Sequence, residues 1–365
     1  MPDAPAPARL RRLECIRGAA ALYVFVHHYV HVVLKSHHPG LGRLFVFGQL
    51  AVLVFFVVSG FVIYYSTHAR GRPLAVGPYV VRRFRRIYPT FVAALGLTWV
   101  AHSLSVGRPA DPQWRQLLGN LAMLQDENVA AWFSPYLDNS ALWSLSYEWA
   151  FYMLFLVVWA LAGGHRVEPG RAARRQLWVV AVGAIAAFFL HRQWPNQIAL
   201  FVMYLPIWWV GVEFAREYLA HGRVTLRRQW GPIALVGVLV LLWAGRVYEH
   251  LAAGQPLSPW RHPVFELRHF VTALLIVGGG LLWARLRWWG FGPLFGRFER
   301  VAPISYGLYI VHKPFMHLAA ARAPMGNPWL ELVWVVPVVW LASWLVERWL
   351  FGTMVRWMPA GGSRR

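Results

Sequence analysis

A single cysteine, Cys15, stands in a chain of 365 residues, so no disulfide, CxxC pair or cysteine-based zinc site can form within it. Acidic residues are scarce as well: 15 Asp and Glu against 36 Lys and Arg give a formal net charge of +21. Charged residues make up only 14% of the sequence, while 58% is hydrophobic. That leaves too little polar surface to coat a soluble globule of this length, and the chain reads as a polytopic membrane protein. Low-complexity tracts and internal repeats, inverted or parallel, are missing too, which weakens the case for the common repeat-built transporters. No basic face or nucleic-acid motif accompanies the arginine excess, so nucleic acid is not an expected partner.

What is present is a series of apolar runs of spanning length. They fall at about 16–34, 44–66, 88–106, 142–161, 177–190, 196–215, 232–248, 264–286, 302–321 and 329–351. The fold class this implies is all-α, a membrane bundle of about ten transmembrane helices. Most of the Lys and Arg residues lie in alternate connections, those holding Arg82 to Arg86, Arg166 to Arg175, Arg216 to Arg228 and Arg285 to Arg300 among them. By the positive-inside rule these loops face the cytoplasm and anionic lipid, which puts both termini on that side. Residues 1–12 read as a disordered basic N-terminus, 13–352 as the transmembrane domain and 353–365 as a cytoplasmic tail. No small-residue cleavage site follows the first apolar run, so it reads as a retained span. In the long outer connection from 107 to 141, the helical apolar spacing of 114–125 predicts a helix lying on the outer surface.

The first span carries the most informative pattern, LECIRGAAALYVFVHHYVHVVL over 13–34. Arg17 and His28 are eleven positions apart, which brings them within roughly 20° of each other around the helix. With Arg17 at the membrane surface, a rise of about 16 Å puts His28 near the middle of the hydrocarbon core. Ionisable groups at that depth mark a site by default. His28 reads either as a general base, since imidazole exchanges protons near neutral pH, or as a histidine hydrogen-bonded inside the bundle. His31 falls on nearly the same face, and His27 points away. His27 and His31 have metal-ligand spacing, but no third ligand is suggested and no metal is expected.

The other motifs also carry two readings each. Ser59, in FFVVSGF, is either an acyl-carrying nucleophile or half of a Ser-Gly pair that lets helices or a ligand approach closely, and the second is favoured. RRFRRIYP, with Arg83 and Arg86, is either a topology signal snorkelling to headgroups or a phosphate clamp built from guanidinium forks; Pro89 is expected to end this interfacial segment. Glu148, in WSLSYEWAFY, pairs with a cation or handles a polar ligand, and Trp143 and Trp149 are belt residues or stack on sugar rings. Glu213 snorkels beside Arg216. Ser305, Tyr309 and His312 share one face of ISYGLYIVHKP, where Pro314 predicts a kink.

Taken in series, the Arg17 to His28 spacing, FFVVSGF, RRFRRIYP, WSLSYEWAFY and ISYGLYIVHKP resemble the acyltransferase-3 family of integral-membrane O-acyltransferases. The resemblance covers nearly the whole chain, with Glu14 where the family often has aspartate and Trp149 where it often has a second acid. It implies transfer of an acyl group, usually acetyl, from cytoplasmic acyl-CoA to a hydroxyl of an extracytoplasmic or lipid-linked carbohydrate, in the bacterial inner membrane. On that reading His28 and Glu148 are catalytic, Arg17, Arg83, Arg86 and Ser59 hold acyl-CoA, and Trp143, Tyr309 and His312 meet the carbohydrate or glycolipid acceptor. No appended esterase-like domain is expected. The rival expectation is a transporter of an acyl donor or lipid-linked sugar that uses the same buried groups as a relay. A structural or sensory subunit leaves the alignment of Arg17 with His28 without a purpose.

Overall fold

A computed structural model describes residues 8–357 apart from 70, 72 and 129. Arg70 and Arg72 of the second basic connection, and the outermost parts of the predicted N-terminal and C-terminal tails, lie outside the described residues. The helices are α1 (Ala8–Tyr29), α2 (Leu41–Leu44), α3 (Gly48–His68), α4 (Val76–Val106), α5 (Trp114–Leu121), α6 (Trp143–Leu161) and α7 (Pro169–Gln193). They continue as α8 (Gln197–His221), α9 (Leu226–Ala252), α10 (Val264–Arg285), α11 (Phe291–Phe295), α12 (Ser305–Arg322), α13 (Leu332–Trp344) and α14 (Phe351–Trp357). A π-helical turn extends α1 over Val30–Leu34, and another joins α13 to α14 over Leu345–Leu350.

All ten predicted spans fall on helices, and eight of the helices among the described residues are long and apolar enough to cross a membrane. The two that fall short of that apolarity are α1 and α12. They carry Arg17, His27 and His28, and His312, Lys313 and His317, respectively. Two boundary expectations need correction. Helix α1 begins at Ala8, inside the stretch read as disordered, where Ala, Leu and Arg favour helix and Arg11 pairs with Glu299 at 2.6 Å. Helix α4 runs through Pro89 without a break, because an interior proline can forgo one backbone hydrogen bond where packing supplies the rest.

The chain divides into two compact units. The first comprises 1–52, 75–149 and 292–365, with α12 packed against α1, α4 and α13. Close approach is written into glycines. A Cβ at Gly307 would lie 2.7 Å from the Ser343 carbonyl oxygen, and one at Gly18 would collide with the carbonyl oxygen of Phe298. The connection from 107 to 141 folds around buried amides. Asn139 Nδ2 donates to Thr98 Oγ1 and to the Ile310 carbonyl, both at 3.0 Å, and Gln125 Nε2 to the Leu142 carbonyl at 3.0 Å. The predicted helix over 114–125 is present as α5, which buries Gly119 and Asn120 and exposes Trp114 and Leu118.

The second unit comprises 53–74 and 150–291. Its centre is α8, 78% of whose apolar window is buried. A Cβ at Gly60 would collide with the Trp208 carbonyl, and one at Gly211 with the Val57 carbonyl. Reciprocal small residues thus seat α3 on α8, the role expected of the Ser59–Gly60 pair. Ser59 itself meets the Tyr152 hydroxyl and accepts from Trp208 Nε1, both at 3.3 Å. Glu213 pairs with Arg216 as expected, and Arg216 also donates to Gln176 and stacks over the Tyr64 ring at 5.1 Å.

Candidate active site

The first unit gathers eight of the nine predicted site residues: Arg17, His28, Arg83, Arg86, Trp143, Glu148, Tyr309 and His312. Ser59 belongs to the second unit. Helix α1 is unbroken from Ala8 to Tyr29, which preserves the register that puts Arg17 and His28 on one face. Both meet the α12 segment. Arg17 donates to the Ala302 carbonyl at 2.9 Å, and ten residues further on His312 Nε2 lies 2.7 Å from His28 Nδ1. The two imidazoles are nearly parallel, 22° apart with centroids at 4.9 Å. His312 is completely buried and uses its other nitrogen, Nδ1, on the Leu308 carbonyl at 2.8 Å. His28 as a whole is half-buried.

The neighbouring histidines are occupied differently. His27 is buried with Nδ1 on the Phe45 carbonyl, and His31 bonds back to the His27 carbonyl at 2.9 Å. Each is bound to backbone, whereas His28 faces another side chain.

Arg86 has a partner that the sequence does not suggest. Its guanidinium pairs with Glu347 Oε1 at 2.7 Å and lies over the rings of Tyr306 and Phe351, at 5.5 and 5.4 Å. Glu347 is 3% exposed and accepts the Gly307 N–H at 2.7 Å through its other oxygen. An acid deep in the last apolar run is the available signal, since a carboxylate there demands a partner. Arg83, one turn before Arg86, lies over the Tyr79 ring at 5.3 Å.

Glu148 is half-buried on α6, close enough for its charge to bear on Arg17, Tyr306 and Tyr309. The residues expected to meet an acceptor are enclosed. Trp143 and Tyr309 are each 6% exposed, and His312 is covered. Trp143 packs edge-on against Tyr147, and the Tyr309 hydroxyl meets Ser144 Oγ at 2.8 Å. Of these groups, His312 meets His28 directly, and the Tyr309 ring lies beside that of His312 with centroids at 6.4 Å. Next to His312, Lys313 donates to Ser140. In the 107–141 connection Asp126 is 4% exposed, and burial pushes its carboxyl up to about 7 despite hydrogen bonds from the Tyr147 hydroxyl and the Glu127 N–H, both at 2.7 Å. Among the described residues no group of three or more His, Cys, Asp or Glu is arranged to hold a metal ion.

The arrangement offers an imidazole held by a second imidazole, with the Arg17 guanidinium on the same helix, which suits proton transfer beside an anionic ligand. Comparison with known proteins bears on the reaction class. The chain is 31% identical over 205 residues to Acyltransferase MdmB of Streptomyces mycarofaciens, a match covering 52% of this chain and 49%, about half, of that protein. It is 24% identical over 336 residues to an O-acetyl transferase of Shigella phage Sf6, covering 87% of this chain and 91% of the relative. A third relative, Protein 2 in picA locus of Rhizobium radiobacter, is 36% identical over 96 residues, 25% of this chain and 44% of its own length. No solved structure matches. The acyltransferase-domain profile of the acyltransferase-3 family matches residues 10–348, nearly the whole chain, and the protein belongs to that family of multi-pass membrane acyltransferases.

Proposed function

We propose that the protein is an O-acyltransferase of the bacterial inner membrane. It moves an acyl group, acetyl in the simplest case, from cytoplasmic acyl-CoA to a hydroxyl of an extracytoplasmic or lipid-linked carbohydrate. The single observation that carries the reading is His28, on the same continuous helix as Arg17 and 2.7 Å from His312. The name of the Shigella phage relative supports O-acetyl transfer. The asymmetry of arginine between alternate loops supports cytoplasmic termini and donor entry from that side.

The donor's phosphates are held by Arg17 and Arg83, with Arg86 contributing through whatever part of its guanidinium Glu347 leaves to it. The acceptor hydroxyl approaches Glu148 and His28, with Trp143, Tyr309 and His312 behind them. His28 takes the hydroxyl proton as the oxygen bonds to the thioester carbonyl. The carbon–sulfur bond then breaks, and the departing sulfur receives the proton from imidazolium, leaving free CoA and an ester.

Purified protein given radiolabelled acetyl-CoA and a bacterial glycolipid extract should release CoA and label the glycolipid. His28→Ala should lower turnover by about 10²- to 10⁴-fold while still binding acetyl-CoA, and His27→Ala should keep much of its activity. A folded His28→Ala protein that turns over normally refutes the assignment. Movement of intact donor across liposomes without thioester cleavage would instead favour the transporter reading.

A further inference from the structure

We infer that His312 is a positioning residue that fixes the tautomer of His28, so that Nε2 of His28 is the basic atom; this rests on the proposed role of His28. The Leu308 carbonyl can only accept, so the 2.8 Å contact puts a proton on His312 Nδ1. In neutral His312 the other nitrogen, Nε2, is then a bare acceptor. The 2.7 Å contact with His28 Nδ1 therefore requires the proton to sit on His28. His28 donates through Nδ1–H, and its remaining lone pair is on Nε2.

The opposite arrangement needs a doubly protonated His312. That would place a cation at a completely buried position next to Lys313, with no carboxylate bonded to either imidazole. His27 and His31 sharpen the contrast. Both put Nδ1 on backbone carbonyls of their own surroundings, and His312 does the same one turn back along α12. Of these four, only His28 directs Nδ1 to another side chain.

The pair holds a proton and does not pass it on. When His28 takes a proton at Nε2, its Nδ1–H remains on His312 Nε2, which supports the imidazolium as a neutral acceptor. A proton moved to His312 would leave through Nδ1, and the amide carbonyl of Leu308 accepts a hydrogen bond but not the proton itself. Turnover thus returns the proton from His28 Nε2 to the departing sulfur. His312 does in this site what a carboxylate or carbonyl does behind many working imidazoles: it sets which nitrogen is basic and how the ring faces.

The test uses the full-length protein in lipid nanodiscs with ¹⁵N-labelled histidine, the His28 signals being identified by their loss in His28→Ala. Wild-type His28 should give a protonated Nδ1 and an unprotonated Nε2. His312→Ala should show mixed tautomers, a kcat lower by about 10- to 100-fold, and a KM for acetyl-CoA within about twofold of wild type. His312→Gln, whose amide oxygen can accept in place of Nε2, should restore the Nδ1–H signal and much of the turnover. A wild-type His28 protonated at Nε2 overturns the inference, and that measurement decides even if the His312 variants do not fold. A folded His312→Ala with normal kcat also overturns it. When His28→Ala is dead in the same preparation, that outcome leaves the general-base reading standing, whereas an active His28→Ala removes both.

Discussion

The pairing of Arg86 with Glu347 predicts an asymmetric effect on stability. Glu347 is 3% exposed, and the Arg86 side chain is 32% exposed. Arg86→Ala therefore strands a buried carboxylate whose remaining support is the Gly307 N–H, at a cost of about 3–5 kcal/mol. Glu347→Ala leaves a guanidinium that can turn toward headgroups and one backbone N–H without its acceptor, about 2 kcal/mol. Removing both eliminates the stranded charge. The double variant should be more stable than Arg86→Ala alone, by about 1 kcal/mol, with a coupling energy near 2–3 kcal/mol. Unfolding in mixed detergent and dodecyl sulfate micelles, followed by helical circular dichroism, measures all four proteins. The reasoning fails if the two single costs simply add, or if Arg86→Ala unfolds at the wild-type point. The same set separates structure from donor binding. Glu347→Gln keeps the shape but not the charge, so acetyl-CoA should bind it as tightly as wild type or more tightly if Arg86 also meets the donor's phosphates.

Asp126 predicts a pH dependence. With its folded-state pKa near 7 and an ordinary value of 3.8, the folded protein holds this proton more tightly than the unfolded chain does. Stability should fall as pH rises from about 4 to 7, by up to about 4 kcal/mol, and then level off. Asp126→Asn should flatten that slope in thermal unfolding curves across the range; an unchanged slope would refute the assignment. In the second unit, Gly211→Leu drives a side chain into the Val57 carbonyl and should cost at least about 1–3 kcal/mol, visible as loss of a monodisperse peak. Gly237→Ala, with open space around it, is the matched control and should behave as wild type.

The sequence foretold what local periodicity can carry. All ten apolar runs became helices, and the eleven-residue interval between Arg17 and His28 survived because α1 is continuous. Packing by Ser59 and Gly60 was legible as a small-residue pair, though its counterpart at Gly211 was not. The partners that make a site were out of reach. His28 meets a residue 284 positions away and Arg86 one 261 away, and no spacing rule connects such positions. Exposure was misread for the same reason. Trp143 looked like an interfacial or stacking aromatic, but only the fold reveals that Tyr147 covers one edge. Pro89 was read as a stop because a proline interrupts an isolated helix, while one embedded in a bundle need not.

The two least apolar predicted spans are also the two that meet at the paired histidines, and the coincidence has a physical basis. A polar group inside a membrane is tolerated when a partner satisfies it, and in the first unit the partners converge on α12 and the few residues before it. Arg17 uses the Ala302 carbonyl, His28 uses His312, Asn139 uses the Ile310 carbonyl and Ser144 uses Tyr309. Glu347 joins the same helix through the Gly307 N–H while it holds Arg86. These bonds tie α12 and the residues before it to α1, to the 139–144 stretch and to the turn before α14, so the polarity that lowers the hydropathy of α1 and α12 is also what fixes their register. Substituting apolar residues at these positions would improve each span taken singly while removing the contacts that orient His28. Elsewhere spans pack chiefly by shape, as α3 and α8 do through Gly60 and Gly211.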